Sequence, residues 1–264
     1  MTSTVIIGAG IIGCSTAYFL SQSPASDPSS IHLVEVSPQL FRCASGLAGG
    51  FLAKDCMRRT TESQTNALLK KGTGFAPSVA PLGALSFALH QQLAERFGGR
   101  EKWGYSKSTG TSLSRDEESA AAGSGEDWLR DGSSRATAAK AAVQDKSGGW
   151  PVWLTKDKGS NLEVISSEGS VAQLDPLRLC TFLLEEVLQK GVKLYQPARV
   201  VDVSKDSEGK LVGVRIAMEG KEEIDIACSR IVITAGPWTP AVFEGLFPQS
   251  PTKISISALA GRRP

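Results

Sequence analysis

Thr4-Val5-Ile6-Ile7-Gly8-Ala9-Gly10-Ile11-Ile12-Gly13, near the head of the chain, decides the fold. Thr4 to Ile7 is a short, strongly β-forming run, the composition of a strand buried on both faces of a parallel sheet. The glycines follow at once, and Cys14 to Leu20 continues in small and apolar residues suited to a helix packed close to that sheet, with Ala17 one turn past Gly13. In this order each glycine has a physical task. Gly8 makes the tight turn, Gly10 lets backbone approach a pyrophosphate, and Gly13 lets the helix sit near the strand. The helix N-terminus then offers unpaired amides and partial positive charge to an anion, worth about 0.3–1 kcal/mol per exposed charge. Ala9, Ile11 and Ile12 lie in the same run, so the candidate nucleotide-binding loop is Gly8 through Gly13.

Ile31-His32-Leu33-Val34-Glu35 supplies a second strand. Glu35 falls at its end, about twenty residues beyond the loop, where a carboxylate can accept both hydroxyls of a ribose. A carboxylate there would repel a 2′-phosphate, which argues against NADP and leaves NAD or FAD. Val36 follows directly and joins Glu35 as a candidate contact. The competing reading of Glu35 is a solvated strand end. His32 is expected to pack or to face solvent rather than to catalyse, and Ser21 to Ser30, with Pro24 and Pro28, is a polar loop.

Composition narrows the rest. Lys plus Arg is 29 against 27 for Asp plus Glu in 264 residues, a net charge of +2 that builds no field to gather nucleic acid or anionic membrane. The five cysteines, Cys14, Cys43, Cys56, Cys180 and Cys228, are odd in number, widely spaced and without Cys-x-x-Cys, so neither a disulfide framework nor a zinc site is expected and a reducing compartment fits. Two histidines, His32 and His90, exclude a multi-histidine metal centre, so the chemistry is expected to come from a bound group. Val5 to Leu20 is apolar but lacks a basic lead and is broken by glycines, and no later stretch reaches about twenty uninterrupted apolar residues. The expectation is a cytoplasmic protein with no signal peptide and no membrane span. Oligomeric state is not legible.

Phe41-Arg42-Cys43-Ala44-Ser45-Gly46-Leu47-Ala48-Gly49-Gly50-Phe51 is a small-residue loop at the distance where FAD proteins bring a second backbone segment over the pyrophosphate and flavin. Glu35 followed by Arg42-x-Ala44-Ser45-x-x-Ala48-Gly49-Gly50 resembles the D-amino-acid oxidase superfamily of FAD-dependent amine and amino-acid oxidoreductases, which includes glycine and sarcosine oxidases. The stretch Ala44 to Ala53 is similar to its fungal, incompletely characterised branch. The resemblance implies FAD as cofactor, Ser45 bonded to a phosphate, Arg42 as part of the matched motif, and Ala48, Gly49 and Gly50 beside the flavin. The ordinary alternative for this stretch is a flexible glycine linker.

Other segments carry less signal. Residues 57–80 are polar, lack a clean period and do not resemble the family, so a disordered insertion is expected. Leu82, Leu85, Leu89, Leu93 and Phe97 recur at helical spacing before Gly98-Gly99, which predicts a helix with that stripe in the core and His90 off it. Residues 106–149, rich in Ser, Gly, Ala and charge, suggest a mobile excursion on the substrate side. Asp175-Pro176 starts a helix with Leu177, Cys180, Leu184, Val187 and Leu188 on one apolar face, and Lys190-Gly191 stops it. Strands over residues 192–195, 198–204, 211–218 and 222–227 are expected to form a meander. Arg230-Ile231-Val232-Ile233-Thr234-Ala235-Gly236-Pro237-Trp238 then runs a buried strand into a small-residue turn.

By the resemblance, the helix and meander cover the adenine side of FAD, with Val200 touching adenine, and the Ala235-Gly236 pair meets the cofactor. Core packing is the equal alternative for Val200. The expected organisation is α/β, a Rossmann-like FAD-binding domain of parallel sheet plus β-meander from residues 1–56 and 161–240. A partial, discontinuous substrate domain takes residues 81–160 and 241–264. Family members continue well past this point, so the chain is expected to be C-terminally truncated. The implied reaction oxidises a C–N bond of a small-molecule amine or amino acid by hydride transfer to flavin, with oxygen as acceptor. No catalytic residue and no metal ligand can be named. The alternative is an inactive relative acting as a binding or trafficking component; an NAD dehydrogenase leaves Ala44 to Phe51 unexplained.

Overall fold

In the computed structural model, which describes residues 3–54, 75–114, 161–164 and 169–256, Thr4–Ile7 forms the expected strand and is paired on both sides. It runs parallel to Ile31–Val34, with Thr4 opposite Ile31, and parallel to Arg230–Ile233, with Thr4 opposite Arg230. Lys193–Tyr195 adds in parallel to the far side of Ile31–Val34. Every residue of Thr4–Ile7 and of Ile31–Val34 is buried, as expected of a parallel sheet covered on both faces. The α/β class with a parallel sheet and a β-meander is therefore the fold observed.

Pleating sends alternate side chains to opposite faces. Val5, Ile7 and Val34 join Ala198, Val200, Val214, Ile216, Ile226 and Cys228 in one buried cluster. This cluster is the seam between the parallel sheet and a three-stranded antiparallel layer ordered Ile224–Ala227, Leu211–Ala217, Arg199–Lys205. Ile6 and Leu33, both fully buried, point the other way, to the face over which the helix Ile11–Gln22 returns.

Two expectations for this part are corrected. Residues 192–195 were expected to open the meander, but Lys193–Tyr195 belongs to the parallel sheet. A strand reached from a helix returns to the sheet in parallel, and antiparallel pairing starts only at Arg199. The helix Pro176–Gln189 buries Leu179, Cys180, Phe182, Leu183, Leu184 and Val187, whereas Leu177 and Leu188 are exposed. It packs on Ile11–Gln22 and on the short helix Ala44–Leu47, so two partners broaden and turn its buried face.

The chain divides into two compact units, Met1–Gly49 with Pro176–Pro264, and Gly50–Asp175. In the second, Val171–Gln173 is the centre of an antiparallel sheet between Phe51–Ala53 and Ser106–Ser108, and Thr111–Ser114 pairs with Asn161–Val164. The strands at 106–108 and 111–114 replace the start of the expected mobile excursion. A helix spans Phe75–Phe97 and so begins inside the expected insertion. Among its described side chains Phe87 and Ala94 are buried, while Leu82 and Leu85 are 66% and 57% exposed, so the expected stripe is not the core face. The turn at Gly98-Gly99 explains the rotation. Gly99 approaches Ala94 so closely that a Cβ would stand 2.7 Å from it, and this seats Ala94 beside the buried Trp103. His90 is half-buried, its Nδ1 2.8 Å from the Ser86 carbonyl oxygen. The remainder of the two uncertain segments, residues 57–74 and 115–149, lies outside the described residues. No helix among the described residues is long and apolar enough to cross a membrane.

Ile216, fully buried at the sheet–meander seam, and Leu82, exposed, make a paired test. Ile216→Ala is expected to lower the free energy of unfolding by about 2–5 kcal/mol, and Leu82→Ala by less than about 0.5 kcal/mol. Denaturant titration measures both, and comparable losses would contradict the assigned core.

Candidate functional site

The carboxyl ends of the parallel strands gather the polar groups that the sheet interior cannot hold. Gly8 extends the first strand by one bond, its N–H donating to the Val34 carbonyl at 2.8 Å, and then turns at φ +104°. A side chain is excluded twice at this position, because a Cβ would lie 2.7 Å from the Thr234 carbonyl oxygen and because positive φ disfavours one. The helix starts at Ile11, and two residues further on a Cβ at Gly13 would overlap the Gly8 carbonyl oxygen. The strand-to-helix turn is thus the close crossing expected of Gly8 and Gly13.

The backbone of this loop is tied to side chains from distant segments. Ala9 N–H donates to Glu35 Oε2 at 2.8 Å, and Ser37 N–H donates to Glu35 Oε1 at 2.8 Å. A carboxylate has about four lone-pair sites, so each Glu35 oxygen keeps one for a ribose hydroxyl. Ile11 N–H, at the helix mouth, donates to Ser45 Oγ at 3.0 Å, and that oxygen is 2.9 Å from where a Cβ on Gly10 would stand. Ser45 therefore covers the Ile11 amide, one of those an anion would meet at a helix N-terminus. It is carried there by the helix Ala44–Leu47, entered through Phe41, which has φ +59° and whose carbonyl a Cβ at Gly46 would overlap.

The other predicted positions are placed as follows. Ala235 lies beside the loop, two residues past the return strand Arg230–Ile233, its Cα 3.2 Å from the Cβ position of Gly8, and Gly236 opens the next turn at φ +54°. Ile12 and Val36 are exposed, at 63% and 55%. Arg42 donates from Nη1 to Gln39 Oε1 at 3.1 Å, within its own loop. Ala48 ends the short helix and Gly49 has open space around its α-carbon; Gly50 falls in the second unit, where a Cβ would overlap the Leu174 carbonyl oxygen. Val200 is buried in the sheet–meander core. His32 is buried and stacked on Tyr195, with Nδ1 3.2 Å from the Tyr195 hydroxyl, and burial with nearby Lys193 holds its pKa below the usual imidazole value.

Sequence reasoning missed Ser37 and Thr234. Ser37 had a local signal, a residue two places past the acid whose amide can turn back to it. Thr234 had none, because its hydroxyl meets Ile7 and Gly8 carbonyls more than two hundred residues away in the chain.

Three cysteines stand close behind the loop. Cys14 Sγ donates to the Ala9 carbonyl at 3.3 Å, and Cys180 Sγ to the Ser45 carbonyl at 3.7 Å. Burial, reinforced by Cys180, Glu35 and Cys43, pushes the Cys14 thiol up to about 12. Burial, reinforced by Cys43, raises Cys180 to about 11. An unfolded chain loses these protons near pH 9 while the folded protein keeps them, so the stability they support is whole below pH 9 and is lost as pH rises through the folded values. Denaturation midpoints should fall across this alkaline window, and Cys14→Ala should flatten the decline; an unchanged slope would contradict the assignment. Glu35→Gln sets an NH₂ against one of the amides of Ala9 and Ser37, and urea titration at neutral pH should show a loss of about 1–3 kcal/mol.

The profile of the DAO family, FAD dependent oxidoreductase, matches residues 3–264. A candidate oxidoreductase of Schizosaccharomyces pombe is 27% identical over 255 residues, 92% of this chain and 56% of its own length. Glycine oxidase from Bacillus cereus superposes with a TM-score of 0.57 at 19% identity, covering 92% of this chain and 59% of that one. L-amino acid deaminase from Proteus vulgaris gives a TM-score of 0.57 at 17% identity, covering 92% and 49%. At these identities the two structures speak for fold alone. The chain spans between a half and three-fifths of the length of the curated relative and of the glycine oxidase. The resemblance to the D-amino-acid oxidase superfamily and to its fungal members is borne out. Because the profile runs through both compact units and not the glycine loop alone, the chain belongs to the DAO family of FAD dependent oxidoreductases.

Proposed function

We propose that this chain binds FAD across the Gly8–Gly13 loop and forms part of an enzyme that oxidises a C–N bond of an amine or amino acid, with oxygen as the final acceptor. The observation that carries the reading is the loop itself, where backbone stands in places a side chain would fill and Glu35 crosses from the neighbouring strand to bond it. The residues fit a dinucleotide. The amides at the helix mouth, capped by a hydroxyl at Ser45 that can yield Ile11 or donate its own proton, suit a diphosphate. Glu35, with two acceptor sites left, suits a ribose.

In this proposal Gly8, Ala9, Gly10, Ile11, Ile12 and Gly13 hold the diphosphate with Ser45, and Glu35 and Val36 take the ribose side. Arg42, Ala48, Gly49 and Gly50 follow the second backbone segment, Val200 forms the floor under the adenine, and Ala235 and Gly236 close the loop from the return strand. FAD bound there would supply the hydride acceptor. The chain's own part is to bind, to orient and to keep water from the buried end of the sheet. Amino acids are favoured as substrates by the names of the two structural neighbours, a glycine oxidase and an L-amino acid deaminase.

Purified protein is expected to show flavin absorption bands, to release free FAD on denaturation, and to produce peroxide with an amino-acid panel. A colourless protein that takes up no added FAD would overturn the cofactor; flavin that no amine or amino acid bleaches would overturn the reaction.

A further inference from the structure

One peptide of the loop is held at both polar ends. The Gly8–Ala9 peptide gives its N–H to Glu35 Oε2 at 2.8 Å, and its carbonyl accepts from the Thr234 hydroxyl at 2.8 Å. That hydroxyl is also 3.0 Å from the Ile7 carbonyl, but Ile7 already accepts the Thr234 N–H at 2.8 Å. Gly8 is therefore the acceptor that needs the single hydroxyl proton. The passing helix covers this carbonyl, since a Cβ at Gly13 would overlap it and would stand 3.0 Å from Thr234 Oγ1. A covered carbonyl left without a donor is costly, so the hydroxyl and the glycine crossing form one device.

We infer that Thr234 is a positioning residue for nucleotide binding, its hydroxyl setting the plane of the Gly8–Ala9 peptide and thereby the carboxylate of Glu35. The inference rests on the FAD reading above. A peptide is planar, so turning its carbonyl turns its N–H by the same angle. With the hydroxyl absent, the Gly8 carbonyl rotates toward another donor, the Ala9 N–H leaves Glu35, and Glu35 keeps only the Ser37 amide to fix it. Thr234 touches no nucleotide in this account; it acts through the peptide and the acid.

The test titrates apo protein with FAD, followed by flavin fluorescence, and with ADP by competition, in wild type, Thr234→Val, Thr234→Ser, Glu35→Gln and the Val–Gln double variant. Thr234→Val is expected to raise the Kd for FAD and for ADP about tenfold, while Thr234→Ser, which keeps the hydroxyl, stays within about twofold. In the double variant the two losses should not multiply, because valine has already released what glutamine removes. A Thr234→Val protein that melts lower but binds both ligands as wild type does would overturn the inference, as would losses that multiply. If the valine variant does not fold, Thr234→Ala replaces it: weakened binding in Ala with normal binding in Ser supports the role, and equal binding in the two sinks it. A wild-type chain that takes up neither FAD nor ADP overturns the cofactor reading itself, and with it this inference, before any variant is compared.

Discussion

Where the helix Ile11–Gln22 leaves the first strand, its backbone passes the Gly8 carbonyl at a distance that no side chain on Gly13 would permit, and the geometry of the loop follows from that approach. The crossing brings the helix mouth to the carboxyl end of the sheet. It also crowds the Gly8 carbonyl, which accepts the Thr234 hydroxyl. Tight packing and polar satisfaction are here a single constraint, since the space that excludes a Cβ is the space that excludes water.

Around that crossing, four polar groups of the loop find partners on different segments. Glu35 comes from the second strand, Ser45 from the short helix, Cys14 from the first helix and Thr234 from the end of the return strand. A parallel sheet buried on both faces leaves only its strand ends for such groups, which is why they converge there. The thiols of Cys14 and Cys180 are held protonated by burial, so they serve as weak donors to carbonyls and add no negative charge beside an anion site. The carboxylate of Glu35 is, among the described residues, the acid bonded to the loop, set where hydroxyls and not phosphates are expected.

Family membership applies to both compact units, because the profile spans them, yet the site that can be built from contacts lies in the unit of Met1–Gly49 with Pro176–Pro264. Val200 shows how one residue can answer to two readings: it is core in the sheet–meander seam, and by being core it fixes the strand that borders the loop's sheet. Gly50 shows the opposite case, a glycine required by its own unit, where the Leu174 carbonyl leaves no room.

The sequence by itself determined the strand-glycine-helix unit, the acidic strand end, the helix starting at Pro176 and the strands after it, because each rests on short-range physics: apolar runs, turn residues and capping. It misjudged which faces those helices bury and which sheet Lys193–Tyr195 joins, since a helix's buried side depends on partners such as Ala44–Leu47 and on a closure such as Gly99 against Ala94. Only the tertiary structure decided that Thr234 bonds Gly8, that Ser45 covers Ile11 and that Glu35 holds Ala9. Those bonds join residues 26 to 226 positions apart, and nothing in local composition records a partner chosen by the packing of the whole unit.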